Sequence, residues 1–263
     1  MKTTMAIHPT AIVDSKAQLG NNVQIGAYAF IGPNVTLGDN CIVEHHATID
    51  GYTTLGTDNV IYPYSFLGAK THDLKHKGGT CFLKIGNGNT FREYTSIHTA
   101  TNDGDATVIG NRNYILAFSH VGHDCCLGND IIVSAQVAMG GHVQVGDHAN
   151  IGGNSSIHQF CRIGTFAMLS AHSFLKKDIP PFMIAFGVPA IAKSYNRIGI
   201  LRKGFSDEER IYIKQLFKQL YESNLNRTQA IETIQKSSEK GSFETIRQTF
   251  LDFVQQPSSR GLL

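Results

Sequence analysis

Apolar residues return at every sixth position along most of the chain. Ile7, Val13, Leu19, Ile25 and Ile31 open a series that runs to Leu67, resumes at Ile85, Phe91 and Ile97, and runs again from Ile109 to Leu175. Each of the 26 hexads is led by an apolar residue. Glycine follows the leader in 14 of them, and the fourth residue after the leader is mostly small, as at Ala11, Val23, Cys41, Ser119, Cys125 and Ala167. Two inward positions per six residues, one large and one small, do not make the stripe of a helix with its period of 3.6. They predict a short strand followed by a corner, with the glycines marking sharp turns. Three such sides give a coil of 18 residues, and successive coils stack by strand pairing at about 4.8 Å. The prediction is a triangular parallel β-helix. A sandwich of short strands would space them irregularly at about 8–12 residues.

Two interruptions break the rhythm, at 69–83 and at 100–108. The longer reads as a natural place for binding groups on a rigid frame, the shorter as a tolerated surface insertion. After Leu175 the repeat stops at Asp178-Ile179-Pro180-Pro181. Ser206-Asp207-Glu208-Glu209 then reads as a capping box opening a helix over 210–222, with Ile211, Leu216 and Leu220 on one face. Further amphipathic runs start near Thr228 and Ser242, the last with Phe243, Ile246, Phe250 and Phe253. The expected organisation is therefore mainly β, a β-helix over 1–190 and a small α-helical C-terminal domain over 191–263.

Composition and charge narrow the possibilities. With 41% apolar and 17% charged residues, the 263-residue chain is neither disordered nor membrane-spanning, and Met1 to Thr10 lacks the apolar core of a signal peptide. A cytoplasmic location without stable membrane insertion is expected. The net charge of +2 hides an asymmetry: 12 Lys and Arg against 8 Asp and Glu from Lys193 onward, and 11 against 13 before it. That excess is too modest for a nucleic-acid face. Five cysteines without a C-x-x-C pair argue against disulfides and structural zinc, leaving thiols.

Stacking turns a spacing of 18 into adjacency. The hexads led by Val121, Met139 and Ile157 fall on one wall and carry His123 and Asp124, Gly141 and His142, and His158 and Gln159, with His120 ending the preceding side. Isolated histidines such as His8, His45, His46, His148 and His172 read as solvated. For the cluster, three readings compete: solvated side chains, a three-histidine zinc site with an open position, and acid–base catalysis. His123-Asp124 is a base and orienting carboxylate by sequence, although neighbours on a regular strand face apart, so a corner is required. There is no G-x-S-x-G elbow, and Cys125 sits at a small inward position, a buried thiol.

Ser119-His120-Val121-Gly122-His123-Asp124-Cys125, Gly140-Gly141-His142, Ile157-His158-Gln159-Phe160-Cys161, His72-Asp73-Leu74-Lys75 and Arg202-Lys203-Gly204-Phe205 together resemble the acyl-carrier-protein–UDP-N-acetylglucosamine O-acyltransferases that begin lipid A synthesis. The resemblance covers essentially the whole chain. It implies a left-handed coil, although parallel crossovers are generally right-handed. It implies His123 as general base, Asp124 as its orienting partner and the Gly141 N–H as oxyanion donor. Asp73, Lys75, His120, His142, His158 and Gln159 match positions that hold the sugar, the diphosphate or the acyl chain, and Asn196, Arg202 and Lys203 match the nucleotide end. Lys203 stands where arginine is common, which replaces a bidentate phosphate contact by a point charge. Ala171 and Pro189 match positions that measure the acyl chain, and as departures they pull in opposite directions. No cofactor and no metal are implied, the acyl-phosphopantetheine arriving on acyl carrier protein. The implied assembly is a parallel homotrimer, with the 69–83 loop reaching a neighbour's histidine strip and the basic helical end meeting the acidic carrier. A zinc hydratase of the hexapeptide carbonic anhydrase type, a non-catalytic scaffold and an acetyl-CoA-dependent acetyltransferase are the rival readings.

Overall fold

The computed structural model describes residues 6–263. From Ala6 to Leu175 the chain winds as a left-handed parallel β-helix, three short strands to a coil. Each strand pairs in parallel with the one a full coil later, so that Ile25 lies beside Val43 and Val43 beside Ile61. Among the described residues the three walls belong to sheets of 11, 9 and 8 strands. In a typical strand such as Gln24–Ile25 the leader points inward and its predecessor outward. Ile31, Ile49, Ile61, Leu67, Phe91, Ile97, Ile115 and Val121 have no exposed surface. Each contributes about 1.5–3 kcal/mol by burial.

The small inward positions close the corners of the prism, and in three successive coils they are asparagines. Asn59 Oδ1 accepts from the Asn89 backbone N–H and Nδ2 at 3.0 Å, Asn89 Oδ1 from the Asn113 N–H at 2.9 Å, and Asn113 Oδ1 from the Ile131 N–H at 2.8 Å. The ladder supplies acceptors to backbone donors at buried corners, where an unpaired group is expensive.

The glycines have a different reason from the expected one. At most corners the left-handed backbone conformation falls three residues after the leader, which is two after the glycine where there is one, as at Asn22, Tyr28, Asn40, His46, Asp58, Tyr64 and onward to His172, with φ between 54° and 67°. Gly122 does not adopt it; a Cβ there would stand 2.8 Å from the Gly140 carbonyl carbon in the next coil. Close stacking of coils, not a turn, excludes the side chain. The conformational cost at the corners, about 1–2 kcal/mol each, is offset in part by aromatic stacking, as in Tyr64 on Tyr94 (5.1 Å between centroids) and Tyr94 on Phe118 (4.8 Å).

After Leu175 the strand Met183–Gly187 extends the first sheet and Ala190–Tyr195 turns back antiparallel to it. Sheet structure therefore continues past residue 190, and helices begin only at α1, Arg197–Arg202. They continue with α2, Asp207–Tyr221, α3, Arg227–Lys236, and α4, Ser242–Gln255. Ser206 and Glu209 form the expected capping box, but α2 buries Ile213, Leu216, Phe217 and Leu220, and Ile211 is exposed. In α4 the buried residues are Ile246, Phe250, Leu251 and Val254. Phe253 instead covers the guanidinium of Arg162, 4.5 Å away. Arg162 Nε bonds Asp178 Oδ2 at 2.7 Å, with Asp178 wholly buried, and its other nitrogens reach Gln256, the residue after α4. This pair fastens the helices to the last coil. Among the described residues, no helix is long and apolar enough to cross a membrane.

Candidate active site

Leu67, Ile97, Val121, Met139 and Ile157 stack in register on one wall, so the three hexads expected to meet do so. The corner beyond them solves the problem of adjacent residues facing apart. Asp124 occupies the left-handed position (φ 60°), which swings its carboxylate back to His123: Nδ1 lies 2.7 Å from Asp124 Oδ2. His142 occupies the same position one coil on, and its Nε2 stands 3.6 Å from the same carboxylate oxygen. His123 is buried and His142 half-exposed, with the latter ring stacked on Phe160 at 4.5 Å.

The 100–108 segment is not a passive insertion. Thr101 donates its backbone N–H to Asp124 Oδ1 at 3.1 Å and places Oγ1 2.9 Å from His123 Nδ1, and Thr107 Oγ1 accepts the Asp124 N–H at 2.8 Å. Thr71, in the longer loop, meets Thr101 Oγ1 at 3.0 Å. Burial by itself would raise the Asp124 carboxyl, but the hydrogen bonds from His123 and Thr101 and the nearby His142 hold it below its usual range. An ionised Asp124 accepts from Nδ1–H, an assignment made from the hydrogen-bond network, and so leaves the lone pair on Nε2.

That nitrogen faces Gly141. The glycine lies so close that a Cβ built on it would overlap the imidazole at Cε1 and Nε2. Among the described residues the Gly141 N–H has no partner, whereas its neighbours' are paired, Gly140 N–H to Ile157 O and His142 N–H to His123 O. A base nitrogen and a free donor thus border one cleft of about 670 Å³, lined also by Asp73, Lys75, His158 and Gln159. The 69–83 loop therefore covers the histidine strip of its own chain. Gln159 O accepts from His158 Nδ1 and Arg260 Nε.

Other expected residues stand apart. Arg202 and Lys203 are exposed and, with Asn196, Asp130, His148 and Tyr195, line a separate cavity of about 600 Å³. The Asn196 side chain is fully engaged: Oδ1 accepts from the Gly199 N–H as the cap of α1, and Nδ2 donates to Phe166 O. Ala171 and Pro189 are exposed and line neither cavity. Cys125 is wholly buried, and burial pushes its thiol up to about 12, far from a nucleophile.

Two histidines outside the expected set join the strip. His98 and His72 lie 5.0 and 5.3 Å from His120 between ring centroids. Among the described residues, the ligand atoms of these three, and separately those of His123, Asp124 and His142, lie within 4.8 Å of one another.

Comparison with known proteins finds relatives over nearly the whole chain. The family model described as UDP-N-acetylglucosamine O-acyltransferase, domain 2, matches residues 178–263, and one of bacterial transferase hexapeptide repeats matches 16–51. An acyl-carrier-protein–UDP-N-acetylglucosamine O-acyltransferase of Herminiimonas arsenicoxydans is 39% identical over 98% of both chains, and one of Chlamydia abortus 42% identical over 97% of this chain and 91% of that one. The solved structure of LpxA from Acinetobacter baumannii superposes with a TM-score of 0.92 at 37% identity over 98% of this chain and 99% of that one. The Arabidopsis UDP-N-acetylglucosamine acyltransferase superposes with 0.86 at 31% identity over 97% and 99%.

Proposed function

The chain belongs to the acyl-carrier-protein–UDP-N-acetylglucosamine O-acyltransferase family, and from that premise we propose that it moves an (R)-3-hydroxyacyl group from acyl carrier protein to the 3-hydroxyl of UDP-N-acetylglucosamine, the first step of lipid A synthesis, with His123 as general base. The observation that carries the reading is the His123–Asp124 pair presenting Nε2 beside the unpaired Gly141 N–H in one cleft.

In this scheme Nε2 takes the proton of the sugar hydroxyl as its oxygen bonds to the thioester carbonyl carbon. The carbonyl oxygen becomes an oxyanion facing the Gly141 N–H, a contact of about 2.7–4 kcal/mol where such donors have been removed. The C–S bond then breaks, and the imidazolium returns the proton to the departing phosphopantetheine thiolate. No covalent enzyme intermediate is needed. Asp124, fixed by Thr101 and Thr107, orients the ring and stabilises its cationic form.

Asp73 and Lys75 line the same cleft and are assigned to the sugar and diphosphate, with His158 and Gln159 also lining it and His142 beside it, against Asp124. His120 is the remaining wall histidine assigned to substrate. Arg202 and Lys203 suit the nucleotide phosphates, but they open on a different corner of the prism. A parallel homotrimer resolves this by setting that cavity of one subunit against the His123 cleft of the next. Asn196 then acts by holding α1, on whose last turn Arg202 sits. The test is transfer from hydroxyacyl carriers to UDP-N-acetylglucosamine by the purified chain. His123→Ala is expected to lower kcat/KM by about 10²–10⁴-fold; a folded variant with wild-type rate refutes the assignment.

A further inference from the structure

The catalytic scheme leaves His72 and His98 without a task. They pack with His120 into a knot of three imidazoles, with centroid separations of 4.3 Å between His72 and His98, 5.0 Å between His98 and His120 and 5.3 Å between His72 and His120. Among the described residues these three rings make no hydrogen bond to one another. Their outward bonds are informative. His98 Nδ1 donates to Lys70 O at 2.8 Å and His120 Nδ1 meets Ser96 Oγ at 2.9 Å. Each partner fixes a ring by one nitrogen and leaves Nε2 bare, the arrangement that outer-shell groups impose on metal-binding histidines.

We propose that His72, His98 and His120 bind one divalent cation of the zinc class, and that a cation held there ties the 69–83 loop to the coil wall and slows acyl transfer. Zinc–nitrogen bonds of about 2.0–2.1 Å in tetrahedral directions place ligand nitrogens about 3.3 Å apart. The three side chains, with ligand atoms within 4.8 Å of one another, need to close by little more than an ångström, roughly. His72 can supply the movement, because it is exposed on the loop between the strands Phe66–Ala69 and Phe82–Ile85, whereas His98 and His120 follow and precede wall residues. Ligation therefore cross-links loop to wall, and Asp73, the next residue, lines the catalytic cleft. The neighbouring His123–Asp124–His142 group is the poorer host. Its nitrogen and carboxylate oxygen are already bonded to each other at 2.7 Å, and a cation would have to break that pair.

The test is titration of the chelator-stripped full chain with Co²⁺ and Zn²⁺. One equivalent is expected, with the intense visible absorption of tetrahedral Co²⁺. His72→Gln and His98→Gln should each weaken binding by at least the roughly 10–100-fold that loss of an outer-shell partner costs. Zn²⁺ should slow hydrogen exchange over residues 70–81 in the wild type, and should inhibit transfer proportionally less in either variant. Should His98→Gln not fold, His72→Gln, altered at an exposed loop position, decides the matter. Unchanged metal binding in His72→Gln, loss of binding in His142→Ala instead, or exchange over 70–81 that ignores Zn²⁺ overturns the proposal.

Discussion

Replacing Gly141 by alanine isolates the contact on which the proposed chemistry depends. The backbone at 141 lies outside the left-handed region, so alanine is compatible with the local conformation, and the bonds from His142 N–H to His123 O and from Phe160 N–H to Gly141 O involve no side chain. The coil should survive. The added methyl, however, overlaps the His123 ring at Cε1 and Nε2 and lies 2.9 Å from Nδ1. Since non-bonded carbons settle at about 3.5–4.0 Å, the ring has to retreat by roughly an ångström. It cannot do so while keeping both Asp124 at 2.7 Å and Thr101 at 2.9 Å from Nδ1. A misplacement of about 1 Å costs on the order of 10²-fold in rate, or about 2.7 kcal/mol of barrier. Initial rates of acyl transfer, with kcat and KM separated, should show the loss in kcat, and circular dichroism should show the coil retained. The same measurement on Gly153→Ala, whose methyl comes close to Ala135 O at 3.0 Å on another wall and otherwise makes ordinary contacts, controls for generic damage. A folded Gly141→Ala enzyme within about threefold of wild-type kcat, an order of magnitude above the expectation, refutes the placement of Nε2 against this glycine as the working geometry.

Thr101→Val removes the hydroxyl near His123 Nδ1 but keeps the backbone bond to Asp124, so kcat should fall about tenfold with KM for the sugar nucleotide unchanged, as expected for roughly 1.4 kcal/mol of one hydrogen bond; an unchanged kcat assigns Thr101 to packing alone. His120, pushed by burial to about 4 from 6.5, binds a proton in the unfolded chain before the folded one. Its contribution to stability is therefore complete above about pH 6.5 and is lost as pH falls toward about 4. Melting curves in chelator-treated buffer should show a steeper acid decline for the wild type than for His120→Gln, and parallel declines contradict the shift. Asn89→Ala strips the buried Asn113 N–H of its acceptor and Gly110 O of a donor, which at about 1–3 kcal/mol each predicts a loss of about 3 kcal/mol in denaturant unfolding. A loss below about 1 kcal/mol means that the corner relaxes around the gap.

The walls, the coil length and the adjacency of His123 and His142 are legible because burial repeats with the geometry that produces it: one leader per side, three sides per coil. Two features escaped for physical reasons. A glycine after a leader suggests a turn former, but apart from Gly68 the turn is made two residues later, mostly by Asn, Asp, Tyr, His and Phe at positive φ, and the glycine is kept by the close approach of the neighbouring coil. That requirement acts between residues 18 apart and leaves no local signature. Ile211 was misplaced likewise, because the face of α2 that is buried is chosen by what it packs against.

The second escape concerns the site itself. Thr101 and His72 lie within the interruptions, where the repeat assigns no wall, and His98 lies in the hexad led by Ile97, outside the three hexads that carry His123, His142 and His158. Yet the leaders on either side carry the information. Leu67 pairs with Ile97 and Ile97 with Val121, so each interruption adds whole hexads to a coil without shifting the wall on which the next strand lands. Counting the leaders through the breaks, instead of restarting after each, puts Ser96 beside His120 and Ile97 beside Val121, with His98 the next residue along that strand. It also leaves both loops projecting from the corner that bears His123 and Asp124. A solenoid that lengthens a coil only in multiples of its own repeat preserves stacking above and below, which is why insertions at one corner can supply Thr71, Asp73, Lys75 and Thr101 to a cleft whose base stands on an unbroken wall.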